Sequence, residues 1–315
     1  MSKYEKFESA ESRTCSLYER PSLVDIEDFA RFPEDETISE FLEALPGFLA
    51  ADDLRCLVAS IRMARSGGKP IIWGFGGHVV KVGLAPVLIE LMDQGFITAL
   101  ATNGSGMIHD FEISLAGKTS EDVAAAIKQG SFGLTEETGR MMNQAFREGV
   151  TDGLGLGESL GRFLDQNDPE FGKASLVMQA YRRDIPLTSH VALGTDVIHM
   201  HPDAEGDVLG KGSMTDFRIF THQVSLLHGG GVYLNLGSAV VLPEVFLKAV
   251  SLVRGTGREL SDFTTANLDF IQHYRPGQNV IKRPVSSGGK GIALTGHHEI
   301  MVPLLAAAVK AQEEN

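Results

Sequence analysis

At 315 residues the chain can bury a large core, as one big α/β domain or two smaller ones. Its net charge of -13 argues against a nucleic acid or an anionic membrane held by general electrostatics. Two cysteines, Cys15 and Cys56, exclude a disulfide framework and a zinc quartet, and no apolar run reaches the length of a bilayer span. Met1 to Glu5 leads into charge rather than into a signal sequence, so a cytoplasmic protein without nucleic-acid or membrane partners is expected.

Residues 1–35 are polar and charge-rich, with few periodic apolar positions, and read as an extension draped over the body or a neighbouring subunit. Residues 36–315 read as one domain. Thr37 to Arg65 has a helical pattern in two pieces, broken at Pro46. Lys69 to Phe75 then reads as a buried parallel strand, an apolar run behind a Gly-Gly-Lys-Pro breaker. Gly76-Gly77-His78 leads into a helix from Val79 to Gln94, with Leu84, Val87, Leu88 and Leu91 at helical spacing and Gly95 as its stop. A second strand, Ile97 to Ala101, ends in Thr102-Asn103-Gly104-Ser105-Gly106. This is a β-α-β unit with a glycine-rich loop at the carboxyl end of each strand. Open α/β sheets bind ligands at that edge, where backbone N–H groups are free and small residues let them approach a pyrophosphate or ribose.

Three helical patterns follow between Ser120 and Gly161, and a further helix is expected to start at Asp168-Pro169-Glu170. It feeds the strand Pro186 to Ala192, which ends at Gly194-Thr195-Asp196. A glycine-spaced loop from His201 to Gly212 precedes a helix from Thr215 to His228. Gly229-Gly230-Gly231 breaks into the strand Val232 to Leu236, and Pro243 to Val253 is helical. A strand within Asp262 to Ile271, a last strand Ile292 to Gly296 and a helix from His298 to Gln312 complete the pattern. Strands alternating with helices predict an α/β, doubly wound, mostly parallel sheet of Rossmann-like type.

Taken in order, these turns resemble the deoxyhypusine synthase family from about Lys69 to the last helix. Gly74 to Gly83 stands where that family has a Ser/Asn-rich loop, and Ala101 to Asp110 matches its Thr-Thr-Ala-Gly-Gly stretch. Ala192 to Asp196 is similar to Ala-Leu-Thr-Asp-Gly, Gly229 to Val232 to Gly-Gly-Gly-Val, and Thr265-Ala266 to a Thr-Ala pair that touches cofactor. Ser287-Gly288-Gly289-Lys290 looks like Ser-Trp-Gly-Lys, whose lysine is the covalent catalyst, and Glu299 to Leu305 looks like the family's last helix.

The resemblance implies NAD as cofactor, a small amine or polyamine as substrate, and a homotetramer. NAD takes hydride from the carbon bearing the amine, and a lysine attacks the resulting imine. An acceptor amine, from a protein lysine or another polyamine, then displaces that lysine. Carried over, the resemblance makes Lys290 the covalent residue. It places Gly76, Gly77, His78, Thr102, Asn103, Gly104, Ser105, Gly106, Asp110, Asp196, Gly230, Gly231, Thr265, Ala266 and Gly296 around the cofactor.

The departures fall on the substrate half. The family's histidine pair after Gly-Gly-Gly-Val is Leu234, Asn235 and Leu236 here, and its tryptophan is Gly288. The acidic stretch that greets a cationic substrate is reduced to Arg275-Pro276-Gly277-Gln278. His109 and His297, on strand-end loops beside the implied cofactor, are the candidates to replace the missing base. Asp110 reads equally as a helix cap. Two alternatives stay open. His199 and His201, near His190 and Asp203, could bind a metal in a hydrolase; or the chain could be a non-catalytic nucleotide-binding protein.

Overall fold

The computed structural model describes residues 3–6 and 15–311. Six parallel strands form one sheet in the order β3-β2-β1-β4-β5-β6. After α1 (Ile38–Ala44) and α2 (Ala50–Ser66) comes β1 (Ile71–Phe75), then α3 (Gly77–Lys81), α4 (Ala85–Asp93) and β2 (Ala99–Asn103). Helices α5 (Gly104–Ala116), α6 (Val123–Gln129), α7 (Glu136–Thr151), α8 (Leu156–Asn167) and α9 (Leu176–Arg182) lead to β3 (Leu187–His190). The chain returns through α10 (Gly206–Ser225) to β4 (Val232–Leu236), then α11 (Val241–Gly255) and β5 (Phe263–Asp269). A turn of helix, α12 (Tyr274–Pro276), runs into a π turn at Gly277–Lys282, before β6 (Gly289–Thr295) and α13 (His298–Lys310).

Strand β1 is buried over its whole length because helices cover both sheet faces. Alternation divides its side chains between two cores. Ile71, Trp73 and Phe75 face the core built with α2, α4, α5 and α13. Ile72 faces the other, with Phe220 of α10 and Phe246 of α11. The chain runs outward from β1 to β3 and then returns to β4 on the other side of β1. The carboxyl ends of β1 and β4 therefore form the switch point of a doubly wound sheet.

Several boundaries differ from expectation, each for a local reason. The helix after β1 is split, because Pro86 has no N–H for the carbonyl of Val82, and Gly83 makes the bend at φ 81°. Asp168 does not open a helix; it closes α8 in the left-handed region at φ 40°. The helix α9 starts only at Leu176, capped by Ser175. The glycines of the expected 201–212 loop lie partly inside α10, where Gly212 lets α8 approach; a Cβ there would sit 2.4 Å from Leu156 Cδ2. Strand β6 begins three residues earlier than expected, at Gly289.

Of the expected extension, residues 1, 2 and 7–14 lie outside the described residues, as does the expected helix end at Gln312. Residues 15–32 are exposed throughout; the Asp28 carbonyl accepts from Gly47 N–H (2.8 Å) and Arg31 N–H donates to the Ala44 carbonyl (3.1 Å). No helix among the described residues is long and apolar enough to cross a membrane.

Two buried carboxylates hold helix starts. Asp110 accepts from the N–H groups of Leu176 (2.6 Å) and Val177 (3.2 Å) and from the Ser175 hydroxyl. Asp216 accepts from Ser189 N–H (2.8 Å) and Gly157 N–H (3.0 Å). Burial pushes the first up to about 6 and the second to about 7. A carboxyl whose pKa is raised on folding favours the folded state most below its unfolded value of about 4, and that contribution is lost as pH rises through the folded value. Urea denaturation at pH 4.5 and 7.5 should therefore show a smaller fall in stability for Asp216→Asn than for the wild type. An unchanged fall would contradict the burial effect.

Candidate active site at the carboxyl edge

The turn after β1 is wedged between its neighbours. A Cβ on Gly76 would lie 2.7 Å from the Gly237 carbonyl oxygen, and one on Gly77 would lie 2.5 Å from Ser105 Oγ. Only glycine fits, because both residues are buried against these neighbours, and Gly76 N–H donates to the Leu236 carbonyl (3.0 Å). Thr102 Oγ1 donates to the Phe75 carbonyl (3.0 Å) and ties β2 to β1 there. Asn103 caps α5, its Oδ1 accepting from Gly106 N–H (3.1 Å) and from the Ser105 hydroxyl (3.0 Å).

The N-terminus of α5 already faces a carboxylate. Asp196 stands against Gly104, where a Cβ would be 2.0 Å from its Oδ2. Burial raises the pKa of Asp196, opposed by His199, whose Nε2 is 3.9 Å away. A phosphate at α5 would compete with this group.

Beside these loops opens a cleft of about 840 Å³, lined among others by Lys81, Ser105, His109, Glu112, Thr119 and Asp196. It also carries Glu121, Glu137 and Lys118, so carboxylates outnumber amines on its wall. His109 Nδ1 is 2.6 Å from Thr119 Oγ1, which donates to Glu112 Oε2 (2.6 Å); Thr138 donates to Glu112 Oε1 (3.1 Å). Burial holds the half-buried His109 below its ordinary pKa; Glu112 opposes this and the Lys81 charge adds to it.

A second set of rings lies over the ends of β1, β5 and β6. His78 is edge-on to His298 at 5.6 Å and 6.4 Å from Phe270. His298 is fully buried; its Nε2 is 3.0 Å from the Leu268 carbonyl, while Nδ1 has no partner. Nε2 must therefore carry the proton of the neutral ring. The expected His297 is instead largely exposed, stacked on Phe270 at 5.8 Å and 3.8 Å from Glu299. Asn235 Nδ2 donates to Asn267 Oδ1 (2.7 Å), whose Nδ2 donates to Gln272 Oε1 (2.7 Å). Asn235 Oδ1 is buried without a partner. Glu112 stands in no sequence motif, and Thr119 read only as part of a helix-start pattern, Thr119 to Asp122, before Val123. The signal available for Asn235 and Asn267 was an amide near the carboxyl end of an apolar strand.

Other expected site residues stand elsewhere. Lys290 pairs with Thr264 near the amino end of β6, with Nζ 3.3 Å from Cys56 Sγ. Five residues separate it from Thr295 at the carboxyl end, or about 17 Å at ~3.3 Å per residue. Gly230 and Gly231 precede β4 at the same amino edge, Gly230 N–H donating to the Asp262 carbonyl (2.7 Å). Thr265 and Ala266 are buried within β5, Thr265 Oγ1 donating to the Val280 carbonyl (2.7 Å). Asp110 is buried as a helix cap. Parallel strands explain the division: the residues before a strand and the residues after it reach opposite edges. Gly296 remains at the carboxyl edge, its N–H donating to the Asp269 carbonyl (3.2 Å).

The histidines of the metal alternative are held by backbone N–H groups. His199 Nδ1 accepts from Gly194 N–H (3.1 Å) and Asp196 N–H (3.2 Å), and His201 Nδ1 from Asp203 N–H (3.2 Å). Among the described residues no group of three His, Cys, Asp or Glu side chains is placed to hold a metal ion.

No family model and no curated protein matches the chain. Solved structures do match it. AgrE, in a ternary complex with ornithine and NAD+, is 14% identical, with a TM-score of 0.53 over 81% of this chain and 32% of that one. ArgZ, an arginine dihydrolase of the ornithine–ammonia cycle in cyanobacteria, is 15% identical, with a TM-score of 0.50 over 84% and 33%. A LOR/SDH protein of Methanococcus maripaludis S2 is 15% identical, with a TM-score of 0.52 over 84% and 70%. The chain thus spans about one third of the length of AgrE and ArgZ. These likenesses establish the Rossmann-like α/β fold. A deoxyhypusine synthase of Entamoeba histolytica matches at 10% identity with a TM-score of 0.48, too low to carry an argument for that family.

Proposed function

We propose that this protein is an NAD-dependent enzyme acting on a small amine, with His109 moving the proton. The observation that carries the proposal is the cleft, in which a half-buried histidine, anchored through one ring nitrogen, stands among carboxylates beside a glycine-only turn. The turn stands at the switch point of the doubly wound sheet, where such folds bind nucleotides. Gly76 and Gly77 would hold NAD, which supplies a hydride acceptor when bound. Asp196 and Glu112 favour a cationic substrate, and Nε2 of His109 accepts the proton its ammonium must lose before hydride leaves the adjacent carbon. The neighbour holding ornithine with NAD+ supports the same classes of ligand.

Aminoalkyl transfer through a lysine imine is the finer form of this proposal. Within one chain Lys290 stands at the wrong edge for it, so that form requires a homo-oligomer, such as the tetramer the resemblance implies, in which Lys290 of one copy meets the cleft of another. Isothermal titration of NAD, with spermidine and without it, tests the reading. Micromolar binding that tightens with the polyamine is expected; absence of NAD binding would overturn it. Trapping by borohydride that is lost in Lys290→Ala would support the covalent form, and trapping that persists would remove Lys290 from it.

A further inference from the structure

We propose that Glu112 and Thr119 are positioning residues that fix the tautomer of His109 and leave its Nε2 lone pair facing the cleft. The argument is one of hydrogen counting. A threonine hydroxyl carries one hydrogen. Thr119 gives it to Glu112 Oε2 at 2.6 Å, so at the 2.6 Å contact with His109 the hydroxyl oxygen can only accept. Nδ1 of His109 is therefore the protonated nitrogen, and in the neutral ring Nε2 carries the lone pair. Glu112 is itself held, because Thr138 donates to its other oxygen (3.1 Å).

Three elements supply this chain of bonds: His109 and Glu112 from α5, Thr119 from the loop after it, and Thr138 from α7. The spacing from His109 to Glu112 is three residues, which places both on one face of the helix. The charged groups around the imidazole are Glu112 on its own helix and Lys81 on α3, with Lys118, Glu121, Glu137 and Asp196 also on the cleft wall. Use of the lone pair in catalysis rests on the function proposed above, whereas the tautomer does not.

The test is nitrogen NMR on protein labelled with 15N-histidine, at a pH where His109 is neutral. The His109 signals are identified by their loss in His109→Asn. The wild type should show Nδ1 protonated and Nε2 bare. Thr119→Ser should keep that state. Thr119→Val removes the acceptor, and Glu112→Met frees the threonine hydrogen to turn toward Nδ1; both should move the proton to Nε2. Unchanged circular dichroism and thermal midpoint establish that the variants are folded. A wild-type ring protonated at Nε2 would overturn the proposal, and so would an Nδ1–H form that survives in folded Thr119→Val and Glu112→Met. The readout needs neither NAD nor substrate, so it stands or falls apart from the titration that tests the function.

Discussion

Replacing His109 with alanine is expected to lower turnover of an amine by about 10²- to 10⁴-fold, the range of a lost general base, while NAD affinity stays within a factor of two or three (about 0.4–0.7 kcal/mol). The separation follows from position. His109 lies on the cleft wall, whereas the proposed cofactor cradle is the Gly76-Gly77 backbone, which the substitution does not touch. Activity in the wild type should rise with pH as His109 loses its proton. Burial depresses its pKa, so the midpoint should fall below the ordinary histidine value of 6.5. Steady-state kinetics across pH, beside calorimetry with NAD, check both parts. Equal activity in wild type and His109→Ala would remove His109 from the chemistry.

The largest loss of stability is expected from Trp73→Ala, about 3–5 kcal/mol for a fully buried aromatic reduced to a methyl group. Trp73 is the chain's one tryptophan, sits at the centre of β1 with no exposed surface, and donates from Nε1 to the Phe96 carbonyl at 3.1 Å. Truncation would leave a cavity between the sheet and its helices and an unpaired carbonyl beneath them. Trp73→Phe keeps most of the volume and should cost less than half as much. Urea denaturation followed by circular dichroism measures both, and a loss under about 1 kcal/mol for the alanine variant would mean that this core is far more plastic than its packing indicates. Because β1 ends directly in the Gly76-Gly77 turn, the same variant should also weaken NAD binding.

The strands were legible where their chemistry is local. Ile71 to Phe75 and Val232 to Leu236 are short apolar runs between glycine breaks, and a strand buried on both faces has no other signature. The glycines at 76, 77, 104 and 106 marked the carboxyl edge correctly, because close backbone packing leaves its trace in composition. Asp168 and Gly212 were misread for the converse reason. Pro169 suits a helix start and a string of glycines suits a loop, yet Asp168 closes α8 and Gly212 serves a helix contact that only packing reveals.

The order of amino acids was thus enough to set the alternation of strands and helices, the parallel sheet, and the turns with room for nothing but backbone. These follow from periodicity and side-chain size, which are properties of neighbouring residues. Which chemistry-bearing groups meet was settled by the packed fold. It put Lys290 and the Gly230-Gly231 turn on the amino edge, made a helix cap of Asp110, and turned His298 inward while His297 faces solvent. It also joined His109 and Glu112 through Thr119. Which edge a residue reaches depends on strand register, and which hydroxyl meets which imidazole depends on the packing of loops against helices.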